Sequence, residues 1–144
     1  MRLSKRTEYG LRALVHLGRV GDENFVQSRD LAQAEHLPGK YVELVLMALR
    51  RAGLLKSRAG VGGGYRLARA PAHIRIADVI DLLERTDDAE ADRAATRSPG
   101  AAAVAFVVAK VQQTTETALG ELTLEKLLDQ IPRNVGSKDS MYYI

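Results

Sequence analysis

The fold is decided by residues 28–69, "SRDLAQAEHLPGKYVELVLMALRRAGLLKSRAGVGGGYRLAR". A helix is expected over about 29–36, with Ser28 as its N-cap, because a serine oxygen accepts a hydrogen bond from a first-turn amide. Pro38 cannot continue that helix. A second helix is predicted over 39–52, ended by Gly53. Two short helices joined by a tight turn are typical of a helix-turn-helix. The second helix carries one apolar stripe: Val42, Val45, Leu46 and Leu49.

After Gly53, apolar and polar residues alternate with a period of two. "LLKSRA" and "YRLAR" predict short strands, and "GVGGG" (60–64) predicts a pliant loop between them. Residues 50–69 contain six Lys or Arg and no acid. A basic hairpin directly after a helix-turn-helix is a wing, whose glycines allow close approach to a sugar-phosphate backbone and whose arginines neutralise phosphates or enter the minor groove. A solvated hairpin without a ligand is the alternative.

The glycine loop does not match the phosphate-binding loops of enzymes. A nucleotide P-loop needs Gly-Lys-Ser/Thr, whereas Tyr65 and Arg66 follow Gly64. A dinucleotide fingerprint needs a third glycine that opens a helix, but that place holds Tyr65 and a strand is predicted after it. No nucleophile–base pair or carboxylate pair in a cleft is evident, so an enzyme is not expected.

Helices are predicted on both sides of this stretch. Residues 4–20 have helical apolar spacing with Ser4 as N-cap, and 74–85 form another amphipathic helix. Ser98 and Pro99 start a long helix to about 119, and Thr123 caps a last one over 124–130. The long helix carries an apolar seam that either joins the core or meets a second copy, and we favour a dimer interface. The seam residues are Val104, Val108, Val111, Thr115 and Ala118.

Composition separates the chain into two halves. Residues 1–75 hold 14 Lys and Arg against 6 Asp and Glu, and residues 76–144 hold 7 against 12. A basic half joined to an acidic half indicates a polyanion-binding module and a second module with another task. The longest apolar run has nine residues (101–109), while a membrane span needs about twenty. A soluble, cytoplasmic protein is therefore expected.

Three segments, "MRLSKRTEYGLRAL", "LPGKYVELVLMALRRAGLLKS" and "GGGYRLA", resemble the signature segments of the Rrf-two family of bacterial winged-helix regulators. The resemblance covers nearly all of residues 1–85 and continues through the long helix. It implies a mainly α fold with a small β-hairpin: a winged helix-turn-helix domain (1–85), a linker loop (86–98), dimerisation helices (99–131) and a C-terminal tail (132–144). It also implies a homodimer that represses genes by binding a near-palindromic, double-stranded DNA operator.

The resemblance assigns DNA contacts to the first helix, the helix-turn-helix and the wing. Helix 39–52 becomes the recognition helix, and Tyr65 is expected to pack the hairpin onto the domain. The implied DNA-binding residues are Arg2, Lys5, Ser28, Arg29, Lys40, Tyr41, Glu43, Arg50, Arg51, Lys56, Arg58, Gly60, Gly62, Gly63 and Gly64.

Two features depart from the family pattern. Ala59 stands directly before the first wing glycine, where members usually have arginine, and Arg58 is one position earlier. A shift by one residue turns a strand side chain to the other face, so whether Arg58 reads the minor groove stays open. Cluster-binding members carry three cysteines between the helix ending near 85 and the long helix, and this chain has no cysteine. No cofactor or metal site is expected, and His16, His36 and His73 are interpreted as structural or surface residues.

The last four residues, Met141, Tyr142, Tyr143 and Ile144, form an apolar end after a polar stretch. They either fold back on their own domain or bind a partner. The cysteine-free, CymR-type members of the family end similarly, and there the terminal isoleucine resembles the tail by which serine acetyltransferase docks into cysteine synthase. The resemblance therefore implies control of cysteine or sulfur metabolism genes with cysteine synthase as a partner. The alternatives are a protein-interaction module for that enzyme, or a regulator that senses another small molecule.

Overall fold

A computed structural model of the protein describes residues 2–85 and 98–132. In chain order the elements are α1 (Lys5–Val20), α2 (Ser28–Ala34), α3 (Gly39–Arg51), β1 (Leu55–Arg58), β2 (Gly64–Leu67), a short 3₁₀ turn (Pro71–His73), α4 (Ile76–Glu84), α5 (Pro99–Leu119) and α6 (Leu124–Asp129). The mainly α fold with a small hairpin is confirmed. The acidic linker and the apolar tail at 141–144 lie outside the described residues.

Three predicted helix caps are confirmed. The side-chain oxygens of Ser4, Ser98 and Thr123 each accept a hydrogen bond from the amide three residues later, over 3.1–3.2 Å. These bonds satisfy amides that have no partner within the helix. Gly53 adopts a φ of 80° just after α3, which is the left-handed conformation that commonly ends a helix.

The prediction of Ser28 as an N-cap is wrong. Gln27 occupies the cap position without a side-chain hydrogen bond, and Ser28 is the first residue of α2. The Ser28 hydroxyl donates instead to the carboxylate of Glu43, because an ionised acceptor forms the stronger hydrogen bond. Helix α2 also ends two residues early, since His36 takes a φ of 56° and the Leu37 amide closes on the Ala32 carbonyl over 2.8 Å.

We call residues 2–85 the N-terminal head. Helix α1 lies at its centre and packs against α3, α4 and α6. Its Leu14 and Leu17 are almost completely buried. The stripe predicted on α3 forms the opposite wall of the same core, so the apolar period read from the sequence identifies the packed face. The largest fully buried side chains of the described residues are Leu14, Leu17, Leu31, Leu46, Leu49, Ile74, Leu83 and Leu124.

The hairpin has one apolar and one basic face. Strands β1 and β2 are antiparallel, with Leu55 opposite Leu67 and Lys56 opposite Arg66. Since side chains alternate between faces, Leu55 and Leu67 point to the core while Lys56, Arg58 and Arg66 share the outer face. Val26 forms an isolated β-bridge to β2, because its amide and carbonyl each bond to Tyr65 over 2.8 Å.

Helix α6 returns to the N-terminal head. Leu124 is completely buried in the core, and a short antiparallel bridge joins Arg75 to Thr123. The Arg75 guanidinium donates to the Gly120 carbonyl and to the Glu116 carboxylate, which ties the end of α5 to the start of α4.

Helix α5 has 21 residues and none of them is buried. It packs along one side of α4, and the rest of its surface is open. No helix among the described residues has both the length and the apolar character required to cross a bilayer.

Candidate nucleic-acid interface

The outward face of α3 presents polar and apolar side chains next to one another. Lys40, Tyr41, Leu44 and Arg51 are exposed, on the side opposite the buried stripe. The Tyr41 ring makes an edge-to-face contact with Tyr9 of α1, with centroids 5.3 Å apart. This contact restricts the orientation of the ring while 37% of the residue remains accessible.

Glu43 connects three elements. Its carboxylate accepts hydrogen bonds from the Ser28 hydroxyl of α2 and, at 3.5 Å, from the Tyr65 hydroxyl of β2. Burial, and then the negative charge of Glu43, raise the pKa of Tyr65 above its usual value. The phenol therefore stays protonated at neutral pH and serves as a donor. The arrangement fixes the wing, α2 and α3 relative to one another, and it confirms that Tyr65 packs the hairpin onto the domain.

The tip of the wing is exposed backbone. Val61 is fully accessible, and Gly60 and Gly62 have φ values of 87° and 75°. The base of the wing is packed, because a Cβ atom on Gly64 would lie 2.3 Å from the Val26 carbonyl oxygen. The glycines thus have two tasks: the tip offers free backbone, and the base allows the Val26 segment to pair.

Two wing arginines lie against Phe25. The guanidinium carbons of Arg58 and Arg66 are 4.6 and 4.4 Å from the ring centroid, within the range of a cation–π contact. Arg58 also donates to the Gly62 carbonyl over 2.9 Å. β1 ends at Arg58, so strand alternation says nothing about the face taken by Ala59. In the free chain Arg58 is folded along its own hairpin.

Of the remaining predicted residues, Gly63 is buried at the base of the wing, and the others lie in several places. Ser28, Arg29, Lys40 and Glu43 line a shallow depression between α2 and α3, and Arg50 donates to Ser57 of β1 over 3.1 Å. Lys56 and Arg51 are exposed near them. Lys5 is 3.6 Å from Glu8 at the start of α1. Arg2 lines the cleft between α4 and α5 and does not join the depression.

Sequence reasoning missed Leu44, Phe25 and Arg66. Leu44 is 64% exposed, and the available signal was its position off the apolar stripe of α3. Phe25 could be placed beside the wing only with knowledge of the bridge between Val26 and Tyr65. Arg66 could have been predicted from the sequence, because period-two alternation places its side chain on the same face of the hairpin as Lys56.

Family comparison decides the classification. The family described as "Rrf2: Iron-dependent Transcriptional regulator" matches residues 3–130. The chain belongs to the Rrf2 (Rrf-two) family. Protein rrf2 of Nitratidesulfovibrio vulgaris is 37% identical over 87 residues, which are 60% of this chain and 58% of that protein. The chain therefore spans little more than half the length of that curated relative.

Solved structures of other Rrf2 proteins superpose over nearly the whole chain. CymR, described as the global cysteine regulator of Bacillus subtilis, matches with a TM-score of 0.68 and 27% identity, covering 92% of this chain and 99% of CymR. IscR of T. potens matches with a TM-score of 0.70 and 29% identity, covering 99% and 97%. The winged helix-turn-helix architecture is thus shared over the head and the long helix.

The residues of this Rrf2 chain do not fit an iron site. The chain has no cysteine, so it offers no thiolate to an iron–sulfur cluster. In residues 2–85 and 98–132, no three His, Asp or Glu side chains come together to hold a metal ion. His16 pairs with Glu35 at 3.3 Å across α1 and α2, while His36 and His73 are exposed.

Proposed function

We propose that this chain is a homodimeric transcriptional repressor that binds duplex DNA with α3 in the major groove and the wing on the adjacent backbone. The observation that carries this is a group of exposed cations on neighbouring elements. Arg29 and Lys40 line the depression between α2 and α3, and Lys56 and Arg58 lie on the exposed face of the hairpin, which Tyr65 joins to Glu43 of α3. A polyanion is the complementary partner for such a surface.

Base reading is assigned to the first two turns of α3. Lys40 and Tyr41 are exposed there, and the major groove is wide enough to admit a helix. Arg29 and Lys40 flank the depression between α2 and α3, where they are placed to neutralise phosphates. The accessible amides and the absence of side chains at Gly60 and Gly62 suit close contact with the sugar-phosphate backbone.

Dimerisation is assigned to α5. Val104, Val108 and Val111 of the predicted seam are 45–63% exposed. Val108 and Val111 also line the cleft between α4 and α5, so packing on α4 leaves this apolar row partly in water. A helix of 21 residues is about 32 Å long. Two copies joined along it would hold two heads at a separation suited to half-sites about one helical turn apart.

The regulated genes are proposed from the relatives. CymR is described as a cysteine regulator, and this chain shares both its architecture and the absence of cluster cysteines proposed for the CymR type. We therefore propose control of cysteine or sulfur metabolism genes, with cysteine synthase bound through Met141–Ile144. Removal of these four residues should abolish binding to purified cysteine synthase while leaving duplex binding intact. Retained enzyme binding would refute this assignment. Loss of enzyme binding, in a chain that shows no specific duplex binding even with its tail intact, would favour the interaction-module alternative.

The DNA-binding proposal is tested by fluorescence anisotropy on a duplex selected from a randomised pool. Log affinity should fall linearly with log salt, with a slope of about −0.9 per neutralised phosphate. Lys40→Ala and Arg58→Ala should each weaken binding by about 1–3 kcal/mol if they contact bases, and less if they contact only phosphate. Lys126→Ala, on α6, is the matched control and should bind normally. A flat salt response, or no preference for the selected duplex, would refute the proposal.

A further inference from the structure

Leu44 occupies an unusual place on α3. It is 64% exposed, whereas the neighbouring apolar residues Val42, Val45 and Leu46 are almost completely buried. Helical periodicity explains the difference, because two residues correspond to about 200° and place Leu44 opposite Val42. The core does not need this leucine, so its apolar character is free to serve another contact.

Two cations rim the shallow and mainly apolar depression that contains Leu44. Leu44 lines the depression between α2 and α3 together with Ser28, Arg29, Lys40 and Glu43. Lys40 is one turn before it, and the exposed Tyr41 is three residues before it on the same face. An isolated leucine rimmed by cations is a poor docking patch for a protein or a lipid tail, whereas the charge favours a polyanion.

We propose that Leu44 is a specificity-determining residue that contacts the 5-methyl group of a thymine in each operator half-site. This rests on the proposed binding of α3 in the major groove. The thymine methyl is the apolar group that the bases present in that groove, and leucine has no donor or acceptor for the other base edges. The exposed side chain would bury its methyl groups against that single feature and would select thymine over cytosine at that position.

The test removes one methyl group at a time from the DNA. On the duplex selected from a randomised pool, each thymine of a half-site is replaced in turn by deoxyuridine, which differs only in lacking the methyl. Binding is measured by anisotropy for the wild type and for Leu44→Ala. One position should cost the wild type about threefold to tenfold in affinity, in line with the burial of about one methyl group. Leu44→Ala should be insensitive to the same replacement.

Two controls separate a specific contact from a general effect. Val20→Ala shortens another exposed aliphatic side chain, 45% accessible at the end of α1, and should keep the wild-type response to deoxyuridine. Thermal unfolding of Leu44→Ala should match the wild type, because the side chain is not in the core. Leu44→Gln should lose the preference for the methyl group and gain affinity for adenine at that position.

The outcomes distinguish this inference from the function beneath it. If the wild type does not prefer the selected duplex, DNA recognition itself fails and the inference fails with it. If the duplex is bound specifically but contains no thymine whose methyl matters, or if Leu44→Ala responds to deoxyuridine as the wild type does, only the role of Leu44 is overturned.

Discussion

The hydroxyl of Ser28, the first residue of α2, donates a hydrogen bond to the carboxylate of Glu43 on α3. Tyr65 of the wing faces the same carboxylate at 3.5 Å. Glu43 is thus held from two sides in a half-buried position, and the three parts of the candidate interface share one anchor. An unrestrained carboxylate in a basic surface would be free to turn toward phosphates and repel them. Because Glu43 is held in place, we expect its negative charge to act at one fixed position and to contribute to discrimination between DNA sequences.

Ser28→Ala should reduce discrimination between the selected duplex and a scrambled one severalfold. The variant loses one of two donors to the Glu43 carboxylate. A hydrogen bond to a charged group contributes about 1.5–3 kcal/mol to stability, which is less than the total stability of a typical domain, so the head should remain folded. Ser28→Thr keeps a hydroxyl and should restore discrimination. The measurement is the ratio of the two affinities by anisotropy, and an unchanged ratio in Ser28→Ala would contradict the anchoring role.

Phe25→Ala should weaken duplex binding by about threefold to tenfold without changing the salt slope. The ring holds Arg58 and Arg66 through cation–π contacts worth about 0.5–1 kcal/mol each at exposed sites, and both charges remain in the variant. Arg58→Ala, in contrast, should reduce the slope by about one. Phe25→Tyr keeps an aromatic face and is the matched control. A reduced slope in Phe25→Ala would show that the ring does more than position the arginines.

Gly64→Ala should destabilise the head by about 1–3 kcal/mol or more, measured by urea unfolding. Its φ of 128° is strained for alanine, and the added Cβ atom would lie 2.3 Å from the Val26 carbonyl oxygen. Gly60→Ala meets nothing within 4 Å and should cost only the strain of its φ, about 1 kcal/mol. Gly100→Ala, open and free of that strain, should be neutral or slightly stabilising. Equal losses at Gly64 and Gly60 would contradict the packed base of the wing.

Acid should remove a stabilising contact between α1 and α4. Burial disfavours the charged form of Glu84, but hydrogen bonds from the Thr7 hydroxyl at 2.7 Å and the Ser4 amide at 3.0 Å outweigh it and lower its pKa. The contribution is complete above the unfolded pKa of about 4.3 and is lost as the pH falls through the lower folded value. Glu84→Gln should flatten the dependence of the urea midpoint between about pH 5 and 3. Glu121→Gln, on an exposed carboxylate outside this junction, should retain the wild-type slope.

Val108→Glu should convert the proposed dimer to a monomer at micromolar concentration in sedimentation velocity, because it places a charge in the seam of α5. Ala109→Glu adds the same charge to an exposed position on the other side of this helix and should remain dimeric. Operator affinity should fall when dimerisation is lost, while the thermal stability of the head should change little. A dimer that tolerates Val108→Glu would place the interface on another face.

Local chemistry predicted much of the head. Ser4, Ser98, Thr123 and Gly53 carry cap and stop signals that act within one turn, and each works as expected. The stripe from Val42 to Leu49 follows from helical period alone. Ser28 was misassigned because its partner, Glu43, is 15 residues away and outcompetes the local amide. Phe25 could not be placed beside Arg58 and Arg66 without the pairing of Val26 with Tyr65, which period-two patterning does not reveal.

The return of α6 to α1 makes the core of the N-terminal head discontinuous along the chain. Leu124 is completely buried among residues of the first half, and the Leu124 amide bonds to the Ile74 carbonyl over 2.8 Å. A fragment cut at residue 85 would therefore expose a hole in its own core. Domain exchanges between relatives must carry residues 122–129 with the head, and any force that turns the C-terminal end of the long helix reaches the start of α4 through Arg75.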